Sequence, residues 1–309
     1  MPVISRLHSE LADFRRFVRQ IGLMDAEQFD AEFRDRLRFI DQQSLLAPEG
    51  RRELMSRFLS ESVHEFEHGY MCRHSRTKPL GYAGDHLIID MIYRRCTEEA
   101  GIGNLLDSFY HRQKAPTAVR NRKKYFTDLM HEQVRTYGMP SVLDVACGPC
   151  RDVSESLLLN GPATFHCVDL DAQALEYARS VVVRAFHDTV CWQQANALRL
   201  KSTRTYSLVW SAGLFDYLDD RQAALLLRKM WHWAAPGGEV VIGNFHLNNP
   251  DRPWMEWCGD WHLIHRDEDD MKRICNLANI PARSVRIEYE PLGVRSEERR
   301  VGKECRSRW

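Results

Sequence analysis

The chain has 309 residues, 44% of them hydrophobic and 28% charged, with Lys+Arg and Asp+Glu equal at 43 each. That is enough apolar material for a packed core, and the length suggests one large domain or one domain with a sizeable extension. No apolar run approaches the roughly 18–20 residues a membrane helix needs, and the balanced charge gives no electrostatic case for nucleic acid as a partner.

The N-terminal stretch Met1–Leu23 is amphipathic and polar and lacks the apolar core of a signal peptide. The nine cysteines are scattered and odd in number. Without an export signal they read as reduced thiols in a cytoplasmic protein. The stretch Arg295–Trp309, RSEERRVGKECRSRW, reads differently from the rest. One choice of codons for it reproduces a common sequencing-adapter read, so 295–309 is set aside as non-native and excluded from the fold. Nothing in the sequence speaks to oligomeric state.

The first half is expected to be helical. Leu7, Leu11, Phe14, Phe17, Val18 and Ile21 recur at three- and four-residue spacings, predicting a helix over Ser5–Ile21 that Gly22 ends. Asp25 is a candidate N-cap for a second helix carrying Phe29, Phe33, Leu37 and Ile40. A third is expected over Glu49–His68, stopping at Gly69. Arg73–Asp85 is rich in Gly, Pro and charge, without periodicity, and predicts a loop. Asp85 can cap a helix through about Ala100, closed by Gly101, and a long helix is expected over Ala118–Tyr137. From Ser141 the pattern alternates. Strands are predicted over Ser141–Val145, Thr164–Val168, Val190–Gln193, Tyr206–Trp210, Glu239–Asn244 and Ser284–Tyr289. Helices are predicted from Asp152, over Ala172–Phe186, and over Arg221–Ala235, the last ended by Pro236-Gly237-Gly238. That alternation argues for a parallel sheet with helices on both faces. The expected division is a helical region over 1–115, serving as substrate lid, and a nucleoside-binding α/β domain over 116–294.

The chemistry sits at the first strand-to-helix junction, Leu143-Asp144-Val145-Ala146-Cys147-Gly148-Pro149-Cys150. A tight turn of small residues lets a ligand touch the backbone there. Asp144 ends the strand just before the glycine loop, and an acidic group inside the turn would repel a pyrophosphate. It suits a cationic ligand such as the amino and sulfonium groups of S-adenosyl-L-methionine. Asp169, followed by Leu170, ends the second strand, where a carboxylate can accept both ribose hydroxyls. Asn196-Ala197 after the third strand is placed for the adenine edge, and Ser211-Ala212-Gly213 lies at the tip of the fourth. Ligands bind outside the carboxyl ends of such strands, so the cofactor-site candidates are Asp144, Ala146, Cys147, Gly148, Asp169, Leu170, Asn196, Ala197, Ser211 and Gly213. No metal is expected.

These stretches, with Ala235-Pro236-Gly237-Gly238, resemble the successive motifs of class I S-adenosylmethionine-dependent methyltransferases over about Ser141–Tyr289. The resemblance implies an α/β, Rossmann-like class I methyltransferase sheet, preceded here by an all-helical N-terminal domain, and S-adenosyl-L-methionine as cofactor. The family's usual loop has three alternating glycines; this one keeps only Gly148, with Ala146 and Cys150 at the outer positions. A narrower resemblance lies in Lys78–Asp85, Gly213–Leu218 and Asn244-Phe245-His246. These look like bacterial methyltransferases that make a 3-hydroxy fatty acid methyl ester used in quorum sensing, implying a small-molecule, acyl-chain acceptor.

Other motifs compete. Cys147-Gly148-Pro149-Cys150 matches a thioredoxin active site, but Ala146 stands where a tryptophan belongs, and redox chemistry would not explain Asp144 or Asp169. His64-Glu65-Phe66-Glu67-His68 matches the zinc-protease pattern, though a solvated helix face is the favoured reading. The basic run Arg120–Lys124 reads as the wet face of a helix. Trp254, Trp257 and Trp261 either line an apolar substrate pocket or simply pack.

Methyl transfer mainly requires alignment of donor and acceptor and exclusion of water. A carboxylate acceptor needs no general base; a hydroxyl or amine does. The catalytic candidates are His246, as base or as a donor steering a carboxylate, Tyr82 and Asp85 from the helical region, and Arg266, as a bidentate partner for an acidic substrate or a plain surface charge. The leading expectation is O-methylation of a hydroxy fatty acid carboxylate. The alternatives are a methyltransferase acting on protein or nucleic acid and a non-catalytic sensor of the cofactor.

Overall fold

In a computed structural model the backbone is described for residues 2–98 and 100–300. The chain divides into two compact units, one of residues 1–117 with Pro250–His262, the other of Ala118–Asn249 with 263–309.

The first unit is all helical: α1 Pro2–Val18, α2 Ala26–Ser44, α3 Pro48–Glu61, α4 Val63–Phe66, α5 Tyr70–Thr77, α6 His86–Arg94 and α7 Gly101–Arg112. The periodic apolar faces pair ring against ring. Phe17 stacks on Phe29 at 4.9 Å, and Phe33 packs on Phe14 at 4.9 Å and on Phe109 at 4.5 Å. Asp25 caps α2 by accepting from the Glu27 and Gln28 N–H groups, as its position predicts.

Three sequence expectations fail here. The Glu49–His68 helix is two, broken at Ser62, whose backbone leaves helical geometry. The expected loop over Arg73–Asp85 begins as α5; its N-terminus is capped by the remote Asp107, which accepts from the Tyr70 and Met71 N–H groups at 3.0 and 2.9 Å. No local cap marks that helix. Finally, α6 stops at a left-handed Arg95 rather than running to Ala100, and Gly101 opens α7 instead of closing α6.

The second unit begins within α8 (Lys114–Tyr137) and continues β1 Ser141–Val145, α9 Arg151–Asn160, β2 Thr164–Asp169, α10 Ala172–Val181, β3 Val190–Gln194, β4 Tyr206–Ser211, α11 Asp220–Trp233 and β5 Ala234–Phe245. The inserted α12 Arg252–Trp257 belongs to the helical unit; α13 Glu268–Leu277, β6 Arg286–Tyr289 and β7 Arg295–Arg300 complete the sheet unit. The sheet has seven strands in the order β3-β2-β1-β4-β5-β7-β6. Strands β1 to β5 are parallel, and β7 runs antiparallel between β5 and β6. This is the expected α/β architecture. Its seventh strand lies in the stretch set aside from the fold; the rest of that stretch, 301–309, falls outside the described residues.

Pro236-Gly237-Gly238 is not a turn before the fifth strand but a bulge inside it. Pairing with β4 jumps from Tyr206–Ala234 to Leu208–Glu239. A Cβ on Gly238 would come within 2.8 Å of the Tyr206 carbonyl oxygen, so only glycine fits.

Candidate active site

The site grows from the alternation of β1. Leu143 and Val145 point to the face covered by α11 and α13, Val142 to the face covered by α8. Period two therefore sends Asp144 to the α8 side, where it is buried. Burial first, then the neighbouring Asp152, pushes its carboxyl well above the ordinary carboxylate value, while Arg122 pulls the other way. Its Oδ2 is buried with no hydrogen-bond partner. An orphaned acceptor in that position is what a cationic ligand would satisfy.

After Val145 the chain turns back on β2. The Ala146 and Cys147 N–H groups both donate to the Val168 carbonyl, at 2.8 and 3.1 Å. The Gly148 N–H donates to Asp169 Oδ2 at 3.0 Å, and the Asp171 N–H to Asp169 Oδ1 at 3.0 Å. Asp169 thus ties the glycine loop to the end of β2 while each oxygen keeps a lone pair for a further donor. Burial raises its pKa, against the pull of those backbone donors. Leu170 stands exposed beside it at the rim.

Ala146 and Cys150 occupy the outer glycine positions with φ of +58° and +50°, so the loop keeps glycine geometry without glycine. Each such residue costs roughly 1–2 kcal/mol. Cys150 is wholly buried and precedes α9. Asp152 in the first turn of α9 sits at the positive helix end and is buried too.

Arg122 is the residue that sequence reasoning missed. The run Arg120–Lys124 is not uniformly a wet face: Arg122 is buried and donates to the Ala212 carbonyl at 3.0 Å. Its Nη1 would lie 3.1 Å from a Cβ on Gly213, so that glycine makes room for it. The signal was present as spacing. Val119, Arg122, Phe126, Leu129, Met130 and Gln133 form one buried stripe of α8.

Other candidates divide. Ser211 is buried and donates its hydroxyl to the Val145 carbonyl at 2.9 Å, joining β4 to β1. Asn196 holds the turn after β3, its Oδ1 accepting from the Leu198 N–H, with Ala197 half-buried beside it. His246 is half-buried past β5; its Nδ1 accepts from the Asn248 N–H at 3.1 Å.

Arg266 is neither a substrate clamp nor a surface charge. It is buried, and its guanidinium donates to the Phe215 and Leu218 carbonyls, Asn244 Oδ1 and Asp220 Oδ1. Asp85 is likewise committed, capping α6 through Leu87 and Ile88 while pairing with His74 at 2.8 Å. Tyr82, in the same helical unit, is partly exposed.

The rival motifs lose their geometry. Both cysteines of the Cys-x-x-Cys are buried, and burial pushes the Cys150 thiol well above its ordinary value, the opposite of a reactive redox thiolate. His64 and His68 are exposed on either side of the end of α4, and Glu65 between them is buried against Arg15 and Arg19. The tryptophans pack. Trp257 lies on Phe58 and donates to Asp41, and Trp254 meets Tyr110 edge-on at 4.8 Å, all within the helical unit.

A strand-loop-helix junction with a buried acidic strand end and a second carboxylate on the next strand is the kind of place at which doubly wound α/β folds bind a nucleoside. Residues 142–238 match the family described as a methyltransferase domain; the chain is an enzyme, and S-adenosyl-L-methionine is the cofactor it uses. No curated protein matches the chain. Among solved structures, one titled a possible exported protein from Bordetella parapertussis is 17% identical, with 97% of each chain covered and a TM-score of 0.63; it shares the fold. The N-methyltransferase NodS from Bradyrhizobium japonicum is 15% identical over 60% of this chain and 88% of its own, with a TM-score of 0.43. An O-methyltransferase family protein from Burkholderia thailandensis is 14% identical over 62% of this chain and 60% of its own, with a TM-score of 0.48. Among the described residues, no helix is long and apolar enough to cross a membrane.

Proposed function

We propose that this enzyme methylates the carboxylate of an acyl substrate, a hydroxy fatty acid being the specific candidate. When bound, S-adenosyl-L-methionine supplies an electrophilic methyl group on a sulfonium. Asp144 would hold its cationic end and Asp169 its ribose, while the Gly148 tie keeps the loop in place.

The observation that carries the acceptor is the hydrogen bond that His246 Nδ1 accepts from the Asn248 N–H. A backbone N–H can only donate, so Nδ1 accepts from Asn248 and the neutral ring carries its proton on Nε2. That nitrogen is a hydrogen-bond donor. It can steer a carboxylate, but it cannot take a proton from a hydroxyl or amine without first losing its own. A carboxylate is already a nucleophile and needs only alignment. Leu247 and Tyr289, whose ring centre lies 5.7 Å from that of His246, are exposed apolar surface suited to an acyl chain.

The test is incubation of the full chain with methyl-labelled cofactor and 3-hydroxy fatty acids. The expected product carries base-labile label, because a methyl ester is cleaved by mild alkali. Base-stable label would place the methyl on nitrogen, carbon or a hydroxyl and overturn the reading.

A further inference from the structure

Three cysteines meet behind the glycine loop. Cys147 and Cys150 come from the loop and Cys167 from β2, and their sulfurs lie within 4.8 Å of one another. All three are buried, Cys147 keeping 6% exposure and the others none. Three sulfurs on a pyramidal trivalent centre at roughly 2.3 Å stand about 3.5 Å apart, so closure draws each pair together by about 1.3 Å or less. Three packed cysteines can be mere core. What sets these apart is that they converge from two segments on one point.

Charge decides what such a site takes. Asp169 disfavours negative charge at Cys147, and Asp144 and Asp152 disfavour it at Cys167, where hydrogen bonds from the other two thiols favour it. A monovalent soft cation on three thiolates would leave a net charge of −2, and a divalent one −1, in a buried acidic setting. A trivalent centre leaves none. We propose that Cys147, Cys150 and Cys167 form a three-thiol site for a trivalent thiophilic metalloid, of the class represented by arsenous acid.

The reaction balances without an oxidant or a base. Three As–O bonds break and three As–S bonds form; each hydroxide leaves with a thiol proton as water, and arsenic stays trivalent. Neutral thiols react and a neutral complex results. Cys147, the most accessible of the three, is the first point of attack. Occupancy ties Cys147 and Cys150 of the cofactor loop to Cys167 on β2.

The probe is arsenous acid with the reduced full-length protein. X-ray absorption should show arsenic bound by three sulfurs and no oxygen. Hydrogen exchange should slow over 146–150 and 164–169. Cys167→Ser should weaken binding by about 10-fold or more, at least the loss that removing an outer-shell partner produces, and Cys191→Ser, at an exposed cysteine outside the cluster, should not. A shell retaining oxygen, undiminished affinity in Cys167→Ser, exchange protection elsewhere (the Cys72 and Cys258 region above all), or no binding would each overturn the proposal. The absorption and exchange measurements use the unaltered protein, so they decide the matter even if a variant misfolds.

Discussion

Gly148 donates its backbone N–H to Asp169 at 3.0 Å, joining the glycine loop to the second strand. The carboxylate expected to take ribose hydroxyls is therefore also the clasp of the loop. Substitution at Asp169 should act on both. Asp169→Ala is expected to lose cofactor affinity and loosen residues 146–150, whereas Asp169→Asn, keeping one carbonyl acceptor, should retain more of the loop. Calorimetry and amide exchange measured together check this; normal exchange in Asp169→Ala would remove the clasp role.

Asp144 carries a stability cost that a bound cation would offset. Its folded pKa is raised, chiefly by burial, so the protonated form is favoured in the fold. The sign follows from linkage: the contribution is present below the ordinary carboxylate value of 3.8 and is lost as pH rises through the raised folded value. Asp144→Asn should therefore melt no lower than the parent at neutral pH, and less dependently on pH, while cofactor affinity collapses. Retained affinity would remove Asp144 from the binding site.

Arg122 opposes the raised pKa of both Asp144 and Asp152. Arg122→Met should push both carboxyls higher still. The added destabilisation should then grow as pH rises above the ordinary carboxylate value of 3.8, because without Arg122 the fold resists ionising both groups more strongly. Melting curves over a series of pH values test it; a constant deficit would mean lost packing alone.

Arg266→Ala should act on the fold rather than on substrate. Two backbone carbonyls and Asn244 lose their donor in a buried place. The expected cost is about 3 kcal/mol or more, seen in denaturant unfolding. A variant of normal stability with a raised KM would restore the substrate-clamp role.

His246→Asn separates the acceptor types. If the ring only steers a carboxylate, kcat should fall less than about tenfold and with little change in its pH profile; loss of a general base would cost roughly 10²–10⁴-fold.

Much of the sheet unit was legible in the sequence. Val142–Val145, Phe165–Val168 and Leu208–Trp210 are short, mostly apolar runs, and their length, turn-rich flanks and β-branched content read as strands. Asp144 and Asp169 could be placed because strand ends follow from those runs. Tertiary structure decided the rest, since it turned on partners far away in the chain. Asp107 makes α5 a helix by capping it across 36 or more residues, the Tyr206 and Ser207 carbonyls turn Pro236–Gly238 into a bulge, and four scattered acceptors draw Arg266 inside. Residue type and spacing set which segments are helix or strand. Whether a charged side chain is spent on the fold or left for chemistry depends on which acceptors the folded chain brings to it, and that is fixed only when the segments pack.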